Sequence, residues 1–419
     1  MKMNIVAGLD LGTTKVCAII AEKHEDSLDI LGFGVAPSDG LSKGLVANIS
    51  KTAEAIKKAM EIACNRAGVD IRNLNVGVAG EHIISQRNRN YVTISGSEKE
   101  ITKEDLERLE ADVKTIAIPS DKQILHIIPE EYSIDYQSGI ENPIGMSGSR
   151  LEALNHIVLA STPAMQNIKR SVERAGFEIA SYMLQPLASS ISVLEDNEKD
   201  LGVVLIDIGG GTTDIAIFHN RSIKHLKVLG IAGNQVTNDI REYLGIVTDE
   251  AERLKKEFGY ALESAIIKDE DIFIKGVGAR RNVKVPVSLL TQIINARMKE
   301  LFTMIDAEIK HSGLKSKIKA GIVLTGGGSL LRGSTELALE VFGLPARIGL
   351  PLDLAKGLAA EIESPEYATV AGLVKSISQS EAEEIVVAKP KVKKDKKRGK
   401  LTDLIKKATE KATDIFNDL

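Results

Sequence analysis

Two short stretches of the chain repeat one pattern of acidic, glycine and hydroxyl residues. They are residues 8–15 (GLDLGTTK) and 205–214 (LIDIGGGTTD). In each stretch an acid, Asp10 or Asp207, ends an apolar run, and a glycine follows two residues later. Because β-type residues resume directly afterwards, each stretch is predicted to be a hairpin with a glycine-rich turn, and not a strand that enters a helix.

The chemistry of both turns suits a polyphosphate. Glycines let backbone N–H groups approach an anion, threonine hydroxyls donate further hydrogen bonds, and a lysine adds a positive charge. The carboxylates of Asp10 and Asp207 could hold a hydrated Mg²⁺ that bridges the phosphates, so both acids are candidate metal and catalytic residues. The repeat indicates two similar domains that grip one ligand from both sides. The predicted phosphate ligands are Gly12, Thr13, Thr14, Lys15, Gly209, Gly210, Gly211, Thr212 and Thr213.

A third glycine turn follows the predicted buried strand in residues 320–331 (AGIVLTGGGSLL). Such a turn lets the backbone approach a flat ring or a phosphate, although alone it is weaker than a dinucleotide-binding fingerprint. In a chain with two phosphate hairpins it is a candidate for the adenosine side of a nucleotide site. The residues concerned are Gly326, Gly327, Gly328 and Ser329.

Two further features could complete such a site. Glu252, Lys255 and Lys256 lie three and four residues apart in a helix predicted over 248–259, so they project from one face. A nucleoside contact and a surface ion pair are equally favoured at these positions. Gln185 directly precedes a proline between the two halves, and its amide could orient a water near a γ-phosphate. Without the two hairpins, an exposed or helix-capping glutamine would be the preferred interpretation.

Composition narrows the class of protein. The chain has 419 residues, 43% of them hydrophobic and 27% charged, which predicts two or more domains of an ordinary soluble protein. A net charge of −4 argues against nucleic acid as a partner. Cys17 and Cys64 have no paired spacing, and the histidines show no metal-binding spacing, so neither a disulfide framework nor a zinc site is expected. The absence of a signal peptide predicts a cytoplasmic body.

The middle of the chain alternates strands and helices, as in an α/β domain. Residues 82–160 are richer in charge and are interpreted as a small α/β insertion into the first domain. Within the insertion, Thr102 is expected to cap a helix, and strands are predicted at 123–128 and 132–134. After it, a helix is predicted to begin with Thr162 as its cap. Other elements are predicted as helices over 49–66, 187–194, 233–243 and 288–310 and as a strand over 228–231.

The tail changes character after about residue 376. Residues 389–400 form a basic segment that is predicted to be a disordered linker, and residues 401–419 contain neither glycine nor proline. On a helix their apolar residues fall within an arc of about 120°. This stripe is predicted to bind a membrane surface, with a protein groove or the chain's own domain as alternatives. Its members are Leu401, Leu404, Ile405, Ala408, Ala412, Ile415, Phe416 and Leu419.

With these residues in view, the chain resembles the actin-like ATPase superfamily, which includes actin, sugar kinases and DnaK-type chaperones. Residues 10–14 and 207–214 look like its two phosphate motifs, and residues 325–329 look like its adenosine motif. Within the superfamily the chain is similar to the FtsA family of bacterial cell-division proteins. The stretches 125–135 (LHIIPEEYSID) and 142–152 (NPIGMSGSRLE) match that family's insertion, and the last segment matches its membrane anchor.

The resemblance implies an α/β, actin-like (ribonuclease H-like) two-domain ATPase fold with an FtsA-type inserted subdomain. It also implies ATP and Mg²⁺ in a central cleft, filament formation by self-association, and at most weak ATP hydrolysis. The expected role is to tether the FtsZ ring to the cytoplasmic face of the cell membrane at the division site and to help recruit other division proteins. The family places the C-terminal tail of FtsZ on the small subdomain around residues 231–310.

By motif matching, the glycines and threonines of the hairpins would hold phosphates, and the two acids would act through Mg²⁺. Gln185 would orient water, and residues 252–256 would contact ribose and adenine. The alternatives are a pilus-assembly adaptor or a sugar-kinase-type enzyme of the same superfamily, although no convincing substrate base is found for the latter. The predicted boundaries are 1–81 and 161–200 (first domain), 82–160 (inserted subdomain), 201–230 and 311–350 (subdomain 2A), 231–310 (subdomain 2B), 351–378 (return to the first domain), 379–400 (linker) and 401–419 (anchor helix).

Overall fold

The computed structural model describes residues 2–24, 27–95, 99–274, 282–354, 356–377 and 383–386. Contacts divide the chain into a large unit, Asn4–Glu383, and a small unit of Met1–Met3 and Glu384–Leu419. All residues that line the cavity described below lie in the large unit. The predicted linker and the predicted anchor helix, with all eight residues of its apolar stripe, lie outside the described residues. Within the described ranges, no helix combines the length and apolarity that crossing a bilayer requires.

The described strands and helices alternate through most of the chain. In chain order the strands are β1 (Lys2–Leu11), β2 (Lys15–Lys23), β3 (Leu28–Pro37), β4 (Leu41–Ser42), β5 (Leu45–Val46), β6 (Asn73–Val78), β7 (Ile84–Thr93), β8 (Lys122–Ile134), β9 (Gln137–Ile140), β10 (Arg150–Ser161), β11 (Glu178–Leu184), β12 (Val203–Ile208), β13 (Thr213–His219), β14 (Ser222–Leu229), β15 (Asp271–Ile274), β16 (Val283–Pro286), β17 (Gly321–Thr325), β18 (Ala346–Ile348), β19 (Lys356–Gly357) and β20 (Glu383–Val386). The helices are α1 (Ile49–Ala67), α2 (Lys103–Val113), α3 (Thr162–Arg174), α4 (Gln185–Val193), α5 (Asp196–Leu201), α6 (Gly233–Leu244), α7 (Thr248–Phe258), α8 (Val287–His311), α9 (Ser334–Phe342) and α10 (Ala368–Ser376).

Two mixed sheets share one topology. The first has neighbouring strands in the order β11-β6-β1-β2-β3-β19, and the second has the order β14-β13-β12-β17-β18. In each sheet a central strand pairs antiparallel with the next strand along the chain (β1 with β2, β12 with β13) and parallel with a later one (β6 or β17). Both sequence repeats therefore form hairpins at equivalent places in two similar domains, as predicted.

A separate sheet lies within the sequence of the predicted insertion, with strands in the order β7-β10-β8-β9. Here the two predicted strands 123–128 and 132–134 are one long strand, β8. Pro129 does not end it because the register against β10 shifts between Leu154 and Asn155, which leaves Glu130 as a bulge residue next to the proline. The predicted capping box of α2 is confirmed, since Thr102 N donates to Asp105 Oδ2 at 2.9 Å.

Several element boundaries differ from the sequence-based expectations. The N-cap of α3 is Ser161, so Thr162 is the first helical residue and not the cap. Helix α4 begins at Gln185, two residues earlier than predicted, because the proline at its second position already fits helical geometry. Strand β11 was not predicted, since its side chains are mostly partly exposed and lack a clear apolar period. Helix α1 agrees closely with its prediction and ends at Gly68, which has φ 69°.

The central strand of the second sheet is fully buried and leads directly into the second hairpin. Strand β12 is buried at every residue from Val203 to Ile208. One face packs on α6, α7, α8 and α9 in a large apolar cluster that includes Ile206, Leu254 and Phe302. The other face belongs to a cluster shared with Leu184 of β11 and Leu125 of β8. The inserted sheet therefore packs against the same core as the second hairpin.

Candidate nucleotide-binding site

The turns of the two hairpins meet at a cavity of about 520 Å³, within the range of pockets that hold small ligands. A Cβ atom added to Gly210 would overlap the side chain of Thr14, and one added to Gly211 would overlap Thr13. Only glycine therefore allows the turns to approach this closely. The predicted site residues that line the cavity are Asp10, Gly12, Thr13, Thr14, Lys15, Gln185, Asp207, Gly209, Gly210, Gly211, Thr212, Glu252, Lys255, Lys256, Gly326, Gly327 and Gly328.

Two predicted ligands, Thr213 and Ser329, do not line the cavity. The Thr213 hydroxyl donates a hydrogen bond to the Ile231 carbonyl at 2.7 Å. The Ser329 hydroxyl donates to the Gly326 carbonyl, also at 2.7 Å. Because both side chains are buried and already bonded to backbone, they hold the glycine turns in shape from behind.

The two predicted acids lie buried at the ends of their strands with different partners. Gln185 Nε2 donates to Asp10 Oδ1 at 2.8 Å. The hydroxyl of Ser189 donates to Asp207 Oδ2 at 2.6 Å, and that of Thr369 donates to the same oxygen at 3.3 Å. Burial, reinforced by the negative charge of Asp207, raises the pKa of Asp10 to about 7. Burial also raises the pKa of Asp207, against the hydrogen bonds from Ser189 and Thr369.

A third acid, Asp214, was not assigned a site role from the sequence. It pairs with Asp207 across the second hairpin and lines the cavity. Burial, together with repulsion from Asp207 and Asp10, raises its pKa well above the usual range. Its Oδ1 atom is buried and has no hydrogen-bond partner among the described residues. The predicted hairpin could have indicated this role, because its strand register places Asp207 and Asp214 side by side.

These acids attract a cation but do not form a complete metal site. Three carboxyl groups with raised pKa values face one cavity, and each would ionise more readily beside a positive charge. In the ranges that the structure describes, no three acidic, histidine or cysteine side chains are close enough to hold a metal ion by themselves. The site therefore fits Mg²⁺, which keeps several waters and takes oxygens from phosphates, better than a metal that needs a protein cage.

The helix α7 residues belong to the cavity and are also paired with each other. Lys255 Nζ lies 2.7 Å from Glu252 Oε2 and donates to the Gly233 carbonyl at 3.0 Å. Lys256 Nζ lies 3.3 Å from Glu252 Oε1. The first turn of α6 connects them to the second hairpin, since Gly233 N donates to the Gly209 carbonyl at 3.0 Å. The predicted ion pairing is therefore present, whereas the nucleoside contact stays a prediction for three residues that line the cavity.

The inserted sheet reaches the start of the helix that carries Gln185. Leu184 N, directly before α4, donates to His126 Nε2 of β8 at 3.0 Å. Burial lowers the pKa of His126 to about 4, so its ring is neutral at pH 7 and can accept this bond. An added Cβ on Gly77 would lie 3.2 Å from Gln185 Cγ, so the glutamine is closely packed. No local motif marks His126 in the sequence, because its partner Leu184 is distant along the chain.

Replacing His126 by Phe should therefore destabilise the protein by about 1–3 kcal/mol, because the Leu184 N–H would be left without its acceptor. His126→Gln should retain most of the stability, since the glutamine oxygen can accept the same bond. Urea unfolding would give the free energies, and hydrogen exchange would report the Leu184 amide directly. Equal stability of the Phe and Gln variants would contradict the assignment.

The fold and the cavity can be compared with known proteins. The family model described as "Cell division protein FtsA" matches residues 204–372, and the model described as "SHS2 domain inserted in FTSA" matches residues 80–159. The cell division protein FtsA of Pseudomonas aeruginosa is 43% identical over 371 residues, which cover 88% of each chain. This chain belongs to the FtsA family of cell-division proteins.

Solved structures establish the actin-like fold of this FtsA-family protein. A chain of the PilM–PilN type IV pilus biogenesis complex aligns with a TM-score of 0.65 at 16% identity, over 88% of this chain and 97% of that chain. MreB5 of Spiroplasma citri bound to ADP aligns with a TM-score of 0.53 at 16% identity, over 88% of this chain and 94% of that chain. The predicted fold class, an actin-like α/β fold with an inserted domain of the FtsA type, is confirmed.

Proposed function

We propose that this FtsA-family protein binds ATP with Mg²⁺ between the two hairpins and uses the nucleotide to control domain closure and self-assembly into filaments. The observation that carries the proposal is the pair of equivalent hairpins, whose glycine turns and buried acids, Asp10 and Asp207, face one cavity. Hydrolysis is at most weak and serves to change the assembly state. MreB5 of Spiroplasma citri, which has a similar fold, was solved with ADP, and this supports a nucleotide as the ligand.

The charge of the cavity supports a metal-bound nucleotide over a free one. Five acidic side chains line it against four basic ones, a formal balance of −1. A triphosphate would add several negative charges to this balance, so a divalent cation is needed to offset the repulsion. The acids are Asp10, Asp207, Asp214, Glu252 and Glu366, and the bases are Lys15, Lys255, Lys256 and Arg332.

The proposed roles follow the position of each group. Lys15 and the backbone N–H groups of both hairpins bind the phosphates, while Asp10 and Asp207 hold Mg²⁺ through water. The third glycine turn and the charged residues of α7 contact the adenosine. Gln185, hydrogen-bonded to Asp10 at 2.8 Å, is well placed to orient a water molecule beside the metal.

The proposed cellular role is to tether the FtsZ ring to the cytoplasmic face of the cell membrane and to help recruit other division proteins. Residues 401–419 are the proposed membrane anchor, and the basic segment 389–400 supplies positive charge for anionic lipids, at about 1 kcal/mol per basic residue near the surface. The proposed binding region for the FtsZ tail is residues 231–310. One tail would bind a bilayer weakly and an array of tails tightly, so filament formation and tethering reinforce each other.

Electron microscopy on anionic lipid monolayers would test this role. The full chain with ATP and Mg²⁺ should form filaments on the lipid and recruit FtsZ polymers to it, whereas removal of Mg²⁺ by a chelator should abolish the filaments. A chain ending at Ser380 provides the control for the anchor. Equal amounts of FtsZ on the lipid with and without this protein would contradict the tethering role.

A further inference from the structure

The lysine of the first hairpin, Lys15, already has an anionic partner inside the cavity. Its Nζ atom lies 2.8 Å from Glu366 Oε2 and 3.9 Å from the centre of the Tyr367 ring. Both members of the ion pair line the cavity, with side chains 20% and 35% exposed. Sequence analysis assigned Lys15 to a phosphate and gave Glu366 no role. The Glu366 carboxylate is therefore already bound to the lysine that is predicted to bind a phosphate.

Glu366 is held in this position by its neighbours. It lies in a short turn, Pro365–Tyr367, whose Pro365 carbonyl accepts hydrogen bonds from Gly326 N at 3.1 Å and from Thr325 Oγ1 at 3.2 Å. The Tyr367 ring packs edge-on against Phe33 at 4.9 Å. The turn is thus fixed to the third glycine turn on one side and to the first domain on the other. Glu366 is consequently a built feature of the cavity and not a freely moving surface acid.

The charge state of Glu366 supports a strong pairing with Lys15. Burial opposes ionisation, but the hydrogen bond and the positive charge of Lys15 hold the pKa of Glu366 below its usual range. Lys256, from the opposite half of the cavity, acts in the same direction. Glu366 therefore carries a full negative charge at pH 7, stabilised by two lysines that are both proposed to contact the nucleotide.

We propose that Glu366 is an internal competitor for Lys15 and thereby sets the nucleotide affinity of this protein. A lysine ammonium is a compact charge that binds a carboxylate or a phosphate through the same donors. An incoming phosphate must therefore displace Glu366 from Lys15, and the cost of breaking the pair weakens binding. The Glu366 carboxylate binds the same Lys15 ammonium that a phosphate oxygen would contact. The inference rests on the proposed nucleotide site and adds an element that lowers its affinity.

Replacing Glu366 by Gln in the full chain should tighten the binding of Mg²⁺·ATP and Mg²⁺·ADP by about fivefold, the scale of one partly exposed ion pair. The amide keeps the size and shape of the side chain, so the turn should remain intact. Glu363→Gln is the matched control, because Glu363 is exposed, lies on the same segment and is not part of the cavity lining. It changes the net charge equally and should alter the dissociation constant by less than about twofold. Isothermal titration calorimetry gives all the constants.

A double-mutant cycle separates competition for Lys15 from simple repulsion of the phosphate. If Glu366 acts through Lys15, the gain from Glu366→Gln should vanish in a Lys15→Met background. An equal gain in nucleotide affinity in the Lys15→Met background would show that Glu366 repels the phosphate directly, and it would overturn the proposed competition for Lys15. Unchanged or weaker binding by Glu366→Gln in a folded protein would overturn it as well. Should thermal unfolding show that Glu366→Gln is misfolded, Glu366→Ala takes its place, with the same expected gain and the same overturning result.

The outcome for the unmodified chain separates this inference from the proposed function. If the unmodified chain binds Mg²⁺·ATP and Glu366→Gln gives no gain, the nucleotide site stands and only the competitor role fails. If neither the unmodified chain nor Glu366→Gln binds any nucleotide, the proposed site itself is wrong and the inference falls with it. Nucleotide binding by Glu366→Gln but not by the unmodified chain would support both the nucleotide site and the role of Glu366, because it would show that Glu366 suppresses binding at a functional site.

Discussion

The Asp10→Asn variant should be more stable than the unmodified protein at pH 8 in the absence of nucleotide, and it should lose Mg²⁺-dependent ATP binding. Burial raises the pKa of Asp10 from a usual 3.8 to about 7. A carboxyl group whose pKa is raised in the folded state stabilises folding below its unfolded pKa, and this contribution is lost as the pH rises through the folded pKa. Asparagine removes that loss while still accepting the hydrogen bond from Gln185.

The sign and size of the stability effect follow from that linkage. The unmodified protein should lose stability relative to Asp10→Asn between about pH 4 and pH 7, by at most about 4 kcal/mol, since each pKa unit is worth about 1.4 kcal/mol. Urea unfolding at pH 5 and pH 8 would measure the difference, which should be larger at pH 8. Asp39→Asn, at an exposed position outside the cavity lining, is the control and should change little.

Nucleotide binding should change in the opposite direction. An ionised Asp10 is costly in the empty cavity but becomes favourable beside Mg²⁺, because the cation reverses the electrostatic balance. The unmodified protein should therefore bind Mg²⁺·ATP more tightly at pH 8 than at pH 6 and release protons on binding, which calorimetry in two buffers detects. Asp10→Asn should show neither effect. Intact Mg²⁺-dependent binding by this variant would contradict the assigned role of Asp10.

The parts of the site that could be predicted from the sequence are those whose residues are close together along the chain. Each hairpin places its acid, glycines and threonines within ten residues, so the turn chemistry and the strand pairing both appear in one stretch. The repeat of that stretch predicted two similar domains, and the matching strand orders of the two sheets agree with it. The third glycine turn was found by the same local signal. Position within a strand or turn, rather than long-range contact, made these residues recognisable.

The parts that could not be predicted depend on contacts between distant segments. Ser189 and Thr369 bind Asp207 from two helices, and neither belongs to a recognisable motif. Glu366 meets Lys15 across 351 positions of sequence. His126 gains its importance from a single backbone N–H on β11, a strand that was itself not predicted. Packing between segments that are far apart in the sequence creates these contacts, and no local pattern encodes them.

The topology explains why the buried acids can be tolerated at all. Asp10 and Asp207 lie at the ends of central strands, and Asp214 lies at the start of the strand beside Asp207, so strand pairing fixes the surrounding backbone. Neighbouring hydroxyl and amide donors offset part of the cost of burial for Asp10 and Asp207, whereas Asp214 Oδ1 has no partner in the described ranges. The buried acids therefore lower the stability of the fold, and the same burial makes the cavity strongly favour a cation.

The second large effect is expected in the tail, where Phe416→Asp should reduce binding of the full chain to anionic liposomes by about 10- to 100-fold or more. Burying a phenylalanine contributes about 1.5–3 kcal/mol, and the new charge adds a further desolvation cost. Phe416 belongs to the apolar stripe of residues 401–419. Because filaments present many tails at once, the loss should be larger for assembled protein than for monomers.

Asn417→Asp is the matched control, since it introduces the same charge one residue away on the polar side of the predicted helix. It should bind liposomes almost as well as the unmodified chain, while a chain ending at Ser380 should not bind. Flotation of the four proteins in parallel would measure the difference. Equal losses in Phe416→Asp and Asn417→Asp would show that net charge, and not the apolar stripe, governs binding. Equal flotation of the truncated and full chains would show that the membrane contact lies elsewhere, because the truncation removes both the stripe and the basic segment.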